Sequence, residues 1–400
     1  MPAIEIRPDI YWIGVNDRTT DLFEGLWPIS KEGVSYNAYL INDKKKAIID
    51  LAKAFKSDEF LDQISSVTDI EALDYIVLNH MEPDHTGILK MLRKLAPKAK
   101  ILCSKKALNM ISSFYGISEN IDVVQDGEVL DLGKHKLQFF MTPFVHWPET
   151  MMTYETSQKV LFSCDGFGSY GAFTGNIFDD TCKNPEFYET ESLRYYVNIV
   201  AKFSTPVLKA IEKLKDIPVE IIAPSHGLIW RSKPEKIIQL YRQWAGYAQG
   251  QCETGITLIY GSMYGNTEKM MNSVAQGLSN AGIPVEIFDS ARIHVSYILP
   301  SLWKYRGVMI GAPTYEGSLF PPVTNVLEKA ILKRIIQKEA AYFGSYGWSG
   351  GALRKLSAMM DSLKWTLHSH LDFQGEPDDS LLKQGKVFGT QFAQFMMEKA

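Results

Sequence analysis

The sequence predicts an α/β protein of two domains, and three observations support this fold class. The chain has 400 residues, which suits two or three domains of roughly 150 residues each. Up to about residue 250, short strands alternate with amphipathic stretches, which favours two sheets sandwiched between helices. Beyond a polar, glycine-containing segment at 245–255, strand and helix alternate regularly, which is typical of a doubly wound parallel sheet. We therefore predict domains at 1–252 and 253–400.

The elements of the first half follow from short apolar runs rich in β-branched and aromatic residues. Such runs, bounded by turn residues, predict strands. They lie at 35–41, 46–50, 74–79, 100–103, 137–142, 159–164 and 219–224. Apolar residues at helical spacing predict helical stretches between them. Examples lie at 56–67, 86–95, 105–115 and 188–214.

The second half shows a stricter alternation, which begins with a strand at 255–261. Each later strand is separated from the next by one amphipathic helix, as parallel pairing requires. The predicted order continues with a helix at 267–282, a strand at 284–289, a helix at 296–303, a strand at 307–313, a helix at 322–337, a strand at 340–347 and a helix from about 351, and the last helix runs to the C-terminus.

Composition excludes several classes of protein. Hydrophobic residues make up 46% and charged residues 22%, as in ordinary globular chains. The 42 Lys and Arg against 46 Asp and Glu give a net charge of −4. The chain therefore has no excess of basic residues that would favour binding to nucleic acid. No apolar run approaches the roughly 20 residues that span a bilayer, and the first residues do not resemble a signal peptide. We expect a cytoplasmic protein with neither nucleic acid nor membrane as partner.

The four cysteines lie far apart and form no CxxC pair. Zinc ribbons, rubredoxin-type iron sites and thioredoxin-like redox pairs all need closer spacing, so the chain encodes none of them. A disulfide framework is also improbable with so few cysteines in so long a chain. We expect reduced, mostly buried thiols at Cys103, Cys164, Cys182 and Cys252.

The strand predicted at 74–79 runs directly into a dense group of potential metal ligands. These are His80, Glu82, Asp84 and His85. They stand at the C-terminal end of an apolar strand, where open α/β sheets place their chemistry. Pro83 disfavours a helical continuation, so we expect a loop that aims alternate side chains at one point. So many acids and imidazoles together indicate a bound cation, since they need a positive charge to organise them.

Three further candidates each come just after an apolar run: His146, Asp165 and His226. A single histidine in such a position is more often structural, so these gain weight only beside the dense group. Imidazole and carboxylate without thiolate suit iron, manganese or zinc. Three carboxylates favour two divalent cations, with one carboxylate as a bridge, and the acidic set favours a redox-active pair such as iron over a zinc site.

A hydroxyl-rich turn follows the strand at 255–261 and opens a helix. Its residues are Ser262, Met263, Tyr264, Gly265, Asn266 and Thr267. Hydroxyl groups and backbone N–H groups at a helix N-terminus form a nest for phosphate. The spacing differs from a Walker loop and from the Rossmann fingerprint. It resembles the phosphate loop of flavodoxins, with Tyr264 in place of the usual third threonine.

Two other strand ends agree with a flavin site. They supply glycine for close approach and aromatic rings for stacking on a flat heterocycle. Their candidate residues are Pro313, Thr314, Tyr315, Glu316 and Gly317 in one loop, and Ser345, Tyr346, Gly347, Trp348, Ser349 and Gly350 in the other. Loops after successive parallel strands converge on one edge, where flavodoxin-like folds carry FMN. A single phosphate loop without an adenine-binding fingerprint favours FMN over FAD.

Across both halves the sequence resembles the flavodiiron proteins. The order HxExDH, then His, Asp and His, is similar to the metallo-β-lactamase pattern HxHxDH, with Glu82 in place of the second histidine. The resemblance implies a metallo-β-lactamase-like αββα sandwich followed by a flavodoxin-like doubly wound parallel sheet. It implies one iron at His80, Glu82 and His146, a second at Asp84, His85 and His226, and a bridge through Asp165. By the same resemblance Asp50 steadies the ligand loop and Tyr195 lines the catalytic pocket.

The resemblance also implies a function. Such a protein is an oxidoreductase that reduces O2 to water, NO to N2O, or both, at a non-haem diiron centre fed by FMN, as protection against oxygen or nitrosative stress. It implies a head-to-tail homodimer or a dimer of dimers, and rubredoxin or the reduced deazaflavin F420H2 as electron donor. The alternatives are a metallo-β-lactamase-superfamily hydrolase with an accessory flavodoxin domain, an electron carrier without enzymatic activity, and a nuclease of the same superfamily.

Overall fold

The structure is a computed structural model that describes residues 2–399. The chain divides into two compact units, one up to Gln243 and one from Trp244 onward. The domain boundary between residues 252 and 253 stays a prediction. Within residues 2–399, no helix is both long enough and apolar enough to cross a membrane.

The first unit contains two large sheets. Its strands are β1 (Ile4–Arg7), β2 (Ile10–Trp12), β3 (Val15–Asp17), β4 (Leu22–Phe23), β5 (Trp27–Pro28), β6 (Val34–Tyr36), β7 (Tyr39–Asn42), β8 (Lys46–Ile49), β9 (Tyr75–Leu78), β10 (Lys100–Cys103), β11 (Ile121–Val123), β12 (Val129–Asp131), β13 (Lys136–Met141), β14 (Met151–Glu155), β15 (Val160–Cys164) and β16 (Ile221–Pro224). One sheet has the order β1-β2-β7-β8-β9-β10-β11 and the other β12-β13-β14-β15-β16. The sheets face each other, since the ring of Tyr39 in β7 lies 4.9 Å from that of Phe162 in β15.

Helices connect these strands, which confirms the predicted αββα sandwich. They are α1 (Ser57–Ser65), α2 (Pro83–Thr86), α3 (Leu89–Leu95), α4 (Lys105–Tyr115), α5 (Pro185–Tyr195), α6 (Ser204–Leu214) and α7 (Pro234–Tyr247). Strands β8 and β9 are parallel in the first sheet, as are β15 and β16 in the second. The C-terminal ends of each parallel pair therefore lie at one edge, where the chain continues into the predicted ligand residues.

Two local expectations differ from the structure. The strand expected at 35–41 is divided between β6, which pairs with β3, and β7 in the large sheet. Asn37 lies between them, buried, and its side chain accepts from Trp12 Nε1 and donates to Pro224 O, so the chain changes partners there. The loop expected around Pro83 contains one helical turn, α2, because proline at the first helical position lacks only an N–H that the helix does not use.

The second unit confirms the doubly wound parallel sheet. Its strands are β17 (Glu253–Tyr260), β18 (Val285–Asp289), β19 (Tyr305–Gly311), β20 (Thr314–Tyr315), β21 (Ser318–Leu319), β22 (Glu339–Tyr346) and β23 (Thr366–Gln374), and its helices are α8 (Asn266–Asn280), α9 (Val295–Lys304), α10 (Pro321–Leu332), α11 (Ala352–Leu363) and α12 (Asp379–Glu398). The sheet order is β18-β17-β19-β22-β23, and all four pairings are parallel. This is the flavodoxin strand order.

Strand β23 was not predicted from the sequence. Its residues alternate between exposed and half-buried positions, and only Phe373 is buried. It lies at the edge of the sheet, and among the described strands it pairs with β22 alone. An edge strand with a polar alternation carries little hydrophobic signal, so its pairing is decided by the backbone of its neighbour.

Candidate metal centre and flavin site

The structure brings all seven predicted metal-ligand residues into two groups. The donor atoms within each group lie within 4.8 Å of one another. The first group consists of His80, Glu82, His146 and Asp165, and the second of Asp84, His85 and His226. Four of these residues follow β9, at 80–85, and the other three, His146, Asp165 and His226, follow β13, β15 and β16, so the fold brings four separate segments of the chain together.

Asp165 connects the two groups through its two carboxylate oxygens. Oδ2 lies 3.3 Å from His80 Nε2 and 3.2 Å from His146 Nε2. Oδ1 lies 3.1 Å from His85 Nε2 and 3.3 Å from His226 Nε2. One carboxylate thus faces two histidines on each side, which is the geometry a bridging ligand needs.

The electrostatics of the groups indicate missing positive charge. Burial lowers the pKa of His146, but the neighbouring Asp165 and Glu82 outweigh this and raise it to about 9. Burial also lowers the pKa of His226, yet Asp165 and Asp84 raise it to about 10. Burial raises the pKa of Asp165, but His85 and the other histidines hold it well below its usual range. Protons on the imidazoles therefore balance the carboxylates, a task that bound cations would perform.

The residues present fit a pair of metal ions. Several buried atoms that could bind a metal have no hydrogen-bond partner among the described residues. They are both carboxylate oxygens of Asp84, Nε2 of His85, His146 and His226, and Oδ2 of Asp165. Buried polar groups are normally paired, and atoms left without partners that all converge on two points are accounted for by ions at those points.

Hydrogen bonds from surrounding residues orient the ligands. Asp50, which the resemblance singled out, accepts from Asn79 N at 2.8 Å and from Asn79 Nδ2 at 3.1 Å, so it fixes the start of the ligand loop. His226 Nδ1 lies 2.7 Å from the carbonyl oxygen of Ser35. Such contacts fix the tautomer of a ligand histidine and leave Nε2 for the metal.

Sequence reasoning missed Glu149. Its carboxylate is buried, and Oε1 lies 2.7 Å from His80 Nδ1. The only sequence signal was its position three residues after His146, in the run His-Trp-Pro-Glu. That run offers no periodicity that points toward His80, so only the fold reveals the contact.

Tyr195 lies beside Asp165, and its expected role in lining a catalytic pocket stays a prediction. Its hydroxyl donates to Asp165 Oδ1 at 3.0 Å, and its side chain is fully buried. Burial, and then the Asp165 carboxylate, raise the pKa of Tyr195 well above its usual value. Rings of Phe23 and Tyr36 also pack against His226, at centroid distances of 5.5 and 5.7 Å. The side chains around the second group are therefore largely aromatic.

The three predicted flavin loops lie at one edge of the parallel sheet in the second unit and contact each other. Thr267 Oγ1 and Ser345 Oγ are 2.8 Å apart, which joins the first loop to the third. Ala352 N donates to Thr314 Oγ1 at 3.3 Å, which joins the second loop to the helix after the third. A Cβ atom on Gly351 would lie 2.3 Å from Gly317 O, so glycine permits this approach of the two loops.

The same edge has the features of a nucleotide site. Helix α8 begins after Gly265, whose φ is +92° and which has no side chain to cap the first N–H groups of the helix. Ser262 Oγ accepts from Gly265 N at 3.1 Å, which closes the turn. Tyr264 and Trp348 are 90% and 92% exposed, so these rings contact almost none of the protein. Free N–H groups for an anion beside exposed rings for a flat heterocycle suit a flavin phosphate.

Comparisons with known proteins agree with the two-domain architecture. The chain matches the family models described as ODP family beta lactamase, over residues 34–227, and Flavodoxin, over residues 258–385. It is 35% identical to the anaerobic nitric oxide reductase flavorubredoxin of Escherichia coli strain K12 over 397 residues, which cover 98% of this chain and 82% of that protein.

Two solved structures are similar along their whole length. Rubredoxin oxygen:oxidoreductase from the anaerobe Desulfovibrio gigas has a TM-score of 0.93 and 30% identity, with 99% of each chain covered. The flavodiiron protein from Giardia intestinalis has a TM-score of 0.94 and 27% identity, with 100% of this chain and 97% of that chain covered.

Proposed function

This chain belongs to the flavodiiron proteins, a family of oxidoreductases, and we propose that it reduces O2 to water, NO to N2O, or both, at two irons fed by FMN. One observation carries the proposal: the two oxygens of Asp165 face two separate groups of nitrogen and oxygen donors. A single catalytic cation would leave one of these groups without charge compensation. The proposal includes a role in protection against oxygen or nitrosative stress.

We assign one iron to His80, Glu82 and His146 and the other to Asp84, His85 and His226, with Asp165 shared. The irons when bound supply Lewis-acid binding of the diatomic substrate and store electrons, and FMN delivers electrons to them. The three carboxylates bring more negative charge than the imidazole-rich sites typical of zinc hydrolases, which supports iron. The alternative, a hydrolase with an accessory flavodoxin domain, calls for zinc in the same place.

The surrounding residues prepare the site for the reaction. The hydroxyl of Tyr195 keeps its proton at neutral pH and donates to Asp165, so it holds the shared carboxylate in place. The aromatic side chains against His226 limit water around the second group. A dry pocket strengthens electrostatic interactions with a small neutral gas or its reduced products.

We assign the flavin phosphate to the turn at 262–267 and the flat ring system to the loops at 313–317 and 345–350. The names of the relatives support rubredoxin as the electron donor, and F420H2 is the alternative donor. A head-to-tail homodimer or a dimer of dimers in the cytoplasm belongs to the same proposal.

The proposal is tested by measuring metal, flavin and gas turnover on one anaerobic sample. We expect about two irons and one FMN per chain. Stopped-flow mixing of the reduced protein with O2 and with NO should show rapid flavin reoxidation by at least one gas. Zinc in place of iron, with ester hydrolysis, would support the hydrolase, and indifference to both gases would support an electron carrier.

A further inference from the structure

Glu149 is a buried carboxylate that contacts a proposed metal ligand without belonging to either metal group. It is 2% exposed, and its Oε1 lies 2.7 Å from His80 Nδ1 and accepts from Met81 N at 3.0 Å. Its other oxygen, Oε2, has no hydrogen-bond partner among residues 2–399. A desolvated carboxylate of this kind is costly unless a positive charge offsets it.

The contact joins two of the three loops that carry the first metal group. Glu149 lies in the loop between β13 and β14, which also carries His146 and is closed by a bond from Thr150 Oγ1 to Thr142 O at 2.6 Å. Ser104 Oγ donates to the backbone oxygen of Glu149 at 2.7 Å, which anchors this loop to the start of α4. Through Glu149 the loop is connected to His80, so the positions of His80 and His146 depend on each other.

The contact also fixes the state of the His80 ring. A carboxylate at Nδ1 requires a proton on that nitrogen, which leaves the lone pair of Nε2 for a metal. Nε2 lies 3.3 Å from Glu82 Oε2 and 3.3 Å from Asp165 Oδ2, at the centre of the first group. A carboxylate partner increases the basicity of the imidazole and so strengthens its bond to the metal.

The second metal group lacks such support. Within the described chain, the Nδ1 atom of His226 faces only the backbone carbonyl of Ser35, at 2.7 Å, and that of His85 has no hydrogen-bond partner. Among the described residues, His80 is therefore the ligand histidine whose Nδ1 atom has a carboxylate partner, and neither histidine of the second group has one. The histidines of the two metal positions that share Asp165 are thus unequally supported.

We propose that Glu149 is a positioning residue that makes the two metal positions unequal, so that the position of His80, Glu82 and His146 binds its metal first and more tightly. This inference rests on the proposed pair of metals but not on the identity of the reduced gas. A partner of this kind typically contributes about 10–100-fold in metal affinity.

Titration of the metal-free protein with Co²⁺ tests the inference without turnover. Cobalt absorption and heat release report binding while FMN stays in place. Wild type should bind two ions in two separate steps. Glu149→Gln removes the charge but keeps the shape, so it should weaken the first step by about 10–100-fold and leave the second unchanged. Glu149→Leu should weaken that step at least as much.

Glu155→Gln provides a matched control, because Glu155 is also a buried carboxylate paired with a histidine, His135, at 3.2 Å. Glu155 contacts neither metal group. The cobalt isotherm of the Glu155→Gln protein should therefore match that of wild type, even if this variant is less stable. Site assignment comes from two backgrounds. In the His226→Ala background, Glu149→Gln should weaken the binding of the remaining Co²⁺ ion. In the His146→Ala background, it should leave the affinity for the remaining Co²⁺ ion unchanged.

The outcomes separate this inference from the proposed function. If Glu149→Gln weakens both steps equally, or neither, the inference is wrong while the metal pair stands. If wild type binds only one Co²⁺ ion, the metal pair itself fails, and the inference fails with it.

Discussion

Asp165 lies between the two groups of ligand residues because of its position directly after β15. Its proposed role as a bridge depends on its two carboxylate oxygens. It follows directly after β15, and Cys164 before it has a φ of +52°, which turns the chain toward the ligands. Each oxygen then faces a different pair of histidines. A neutral histidine at this position would offer a single ring lone pair, so it would serve only one of the two groups.

Glu82→Ala tests the ligand assignment at this scale. Loss of the carboxylate removes a donor and a charge from the first group, so iron affinity should fall by about 100-fold or more. Turnover should be lost while FMN content stays at the wild-type level. Iron and FMN analysis of the same preparation measures both quantities.

Thr267→Ala is the reciprocal variant. The hydroxyl of Thr267 lies in the turn at 262–267, 2.8 Å from Ser345 Oγ. Its loss should therefore weaken FMN binding and leave the iron content unchanged. If either substitution empties both sites to the same extent, the separate assignment of the two sites is wrong.

His135 gives a prediction about stability and pH that is independent of the metal centre. It lies 3.2 Å from Glu155, whose carboxylate outweighs burial and raises the pKa of His135 above 6.5. Burial raises the pKa of Glu155, but His135 and two backbone N–H groups lower it below 4.5. His135 thus stabilises the fold below pH 6.5 and loses this effect as pH rises through its folded pKa, whereas Glu155 stabilises the fold above pH 4.5.

The destabilisation caused by His135→Gln should therefore be largest near pH 5.5 and decline toward pH 9. We expect about 1 kcal/mol at the maximum. Thermal melting of wild type and variant over this pH range measures the difference. A difference that stays constant between these pH values would contradict the linkage.

At the scale of elements, helices α8 and α12 pack closely enough to require glycine. A Cβ atom on Gly277 would lie 2.0 Å from Lys386 O, and one on Gly389 would lie 2.2 Å from Val274 O. The two backbones approach each other where each helix lacks a side chain.

Gly277→Ala should destabilise the second unit. Alanine favours helix by about 1 kcal/mol, but forcing the two backbones apart typically costs about 1–3 kcal/mol. Gln276→Ala is the control, since Gln276 is exposed on the same helix and its replacement should leave the melting temperature unchanged or slightly higher. A Gly277→Ala protein as stable as this control would show that the helices tolerate the added methyl group.

At the scale of the whole molecule, the proposed head-to-tail homodimer makes a prediction about mixed subunits. Glu82→Ala chains keep FMN and lack iron, and Thr267→Ala chains keep iron and lack FMN. If flavin of one subunit serves the irons of the other, mixing both chains restores activity. Random pairing gives about one quarter of wild-type activity, because half of the dimers are mixed and each has one intact couple.

Refolding or co-expression of the two variants, followed by O2 and NO consumption assays, measures the restored activity. Each variant alone provides the baseline. Absence of restoration in a preparation shown by mass spectrometry to contain mixed dimers would contradict the head-to-tail arrangement.

The sequence alone determined the fold class and the cofactor types, and it singled out seven candidate ligand residues. These features depend on local patterns: apolar runs that end in acids and histidines, and a hydroxyl-rich turn before a helix. It did not reveal β23, whose polar alternation resembles exposed chain until the backbone of β22 pairs with it. Nor did it reveal the helical turn that begins at Pro83. Proline disrupts the interior of a helix but is tolerated at its first position.

Only the tertiary structure decided which residues support the ligand side chains. Glu149 and His80 are 69 positions apart, and Ser35 and His226 are 191 apart, so no spacing rule connects them. The fold brings these pairs within hydrogen-bond distance: Glu149 lies in the loop before β14 and His80 follows β9, whereas Ser35 lies within β6 and His226 follows β16. Local sequence specifies the kind of chemistry a strand end can offer, and packing of distant strands determines which side chains act together and with what charge beside them.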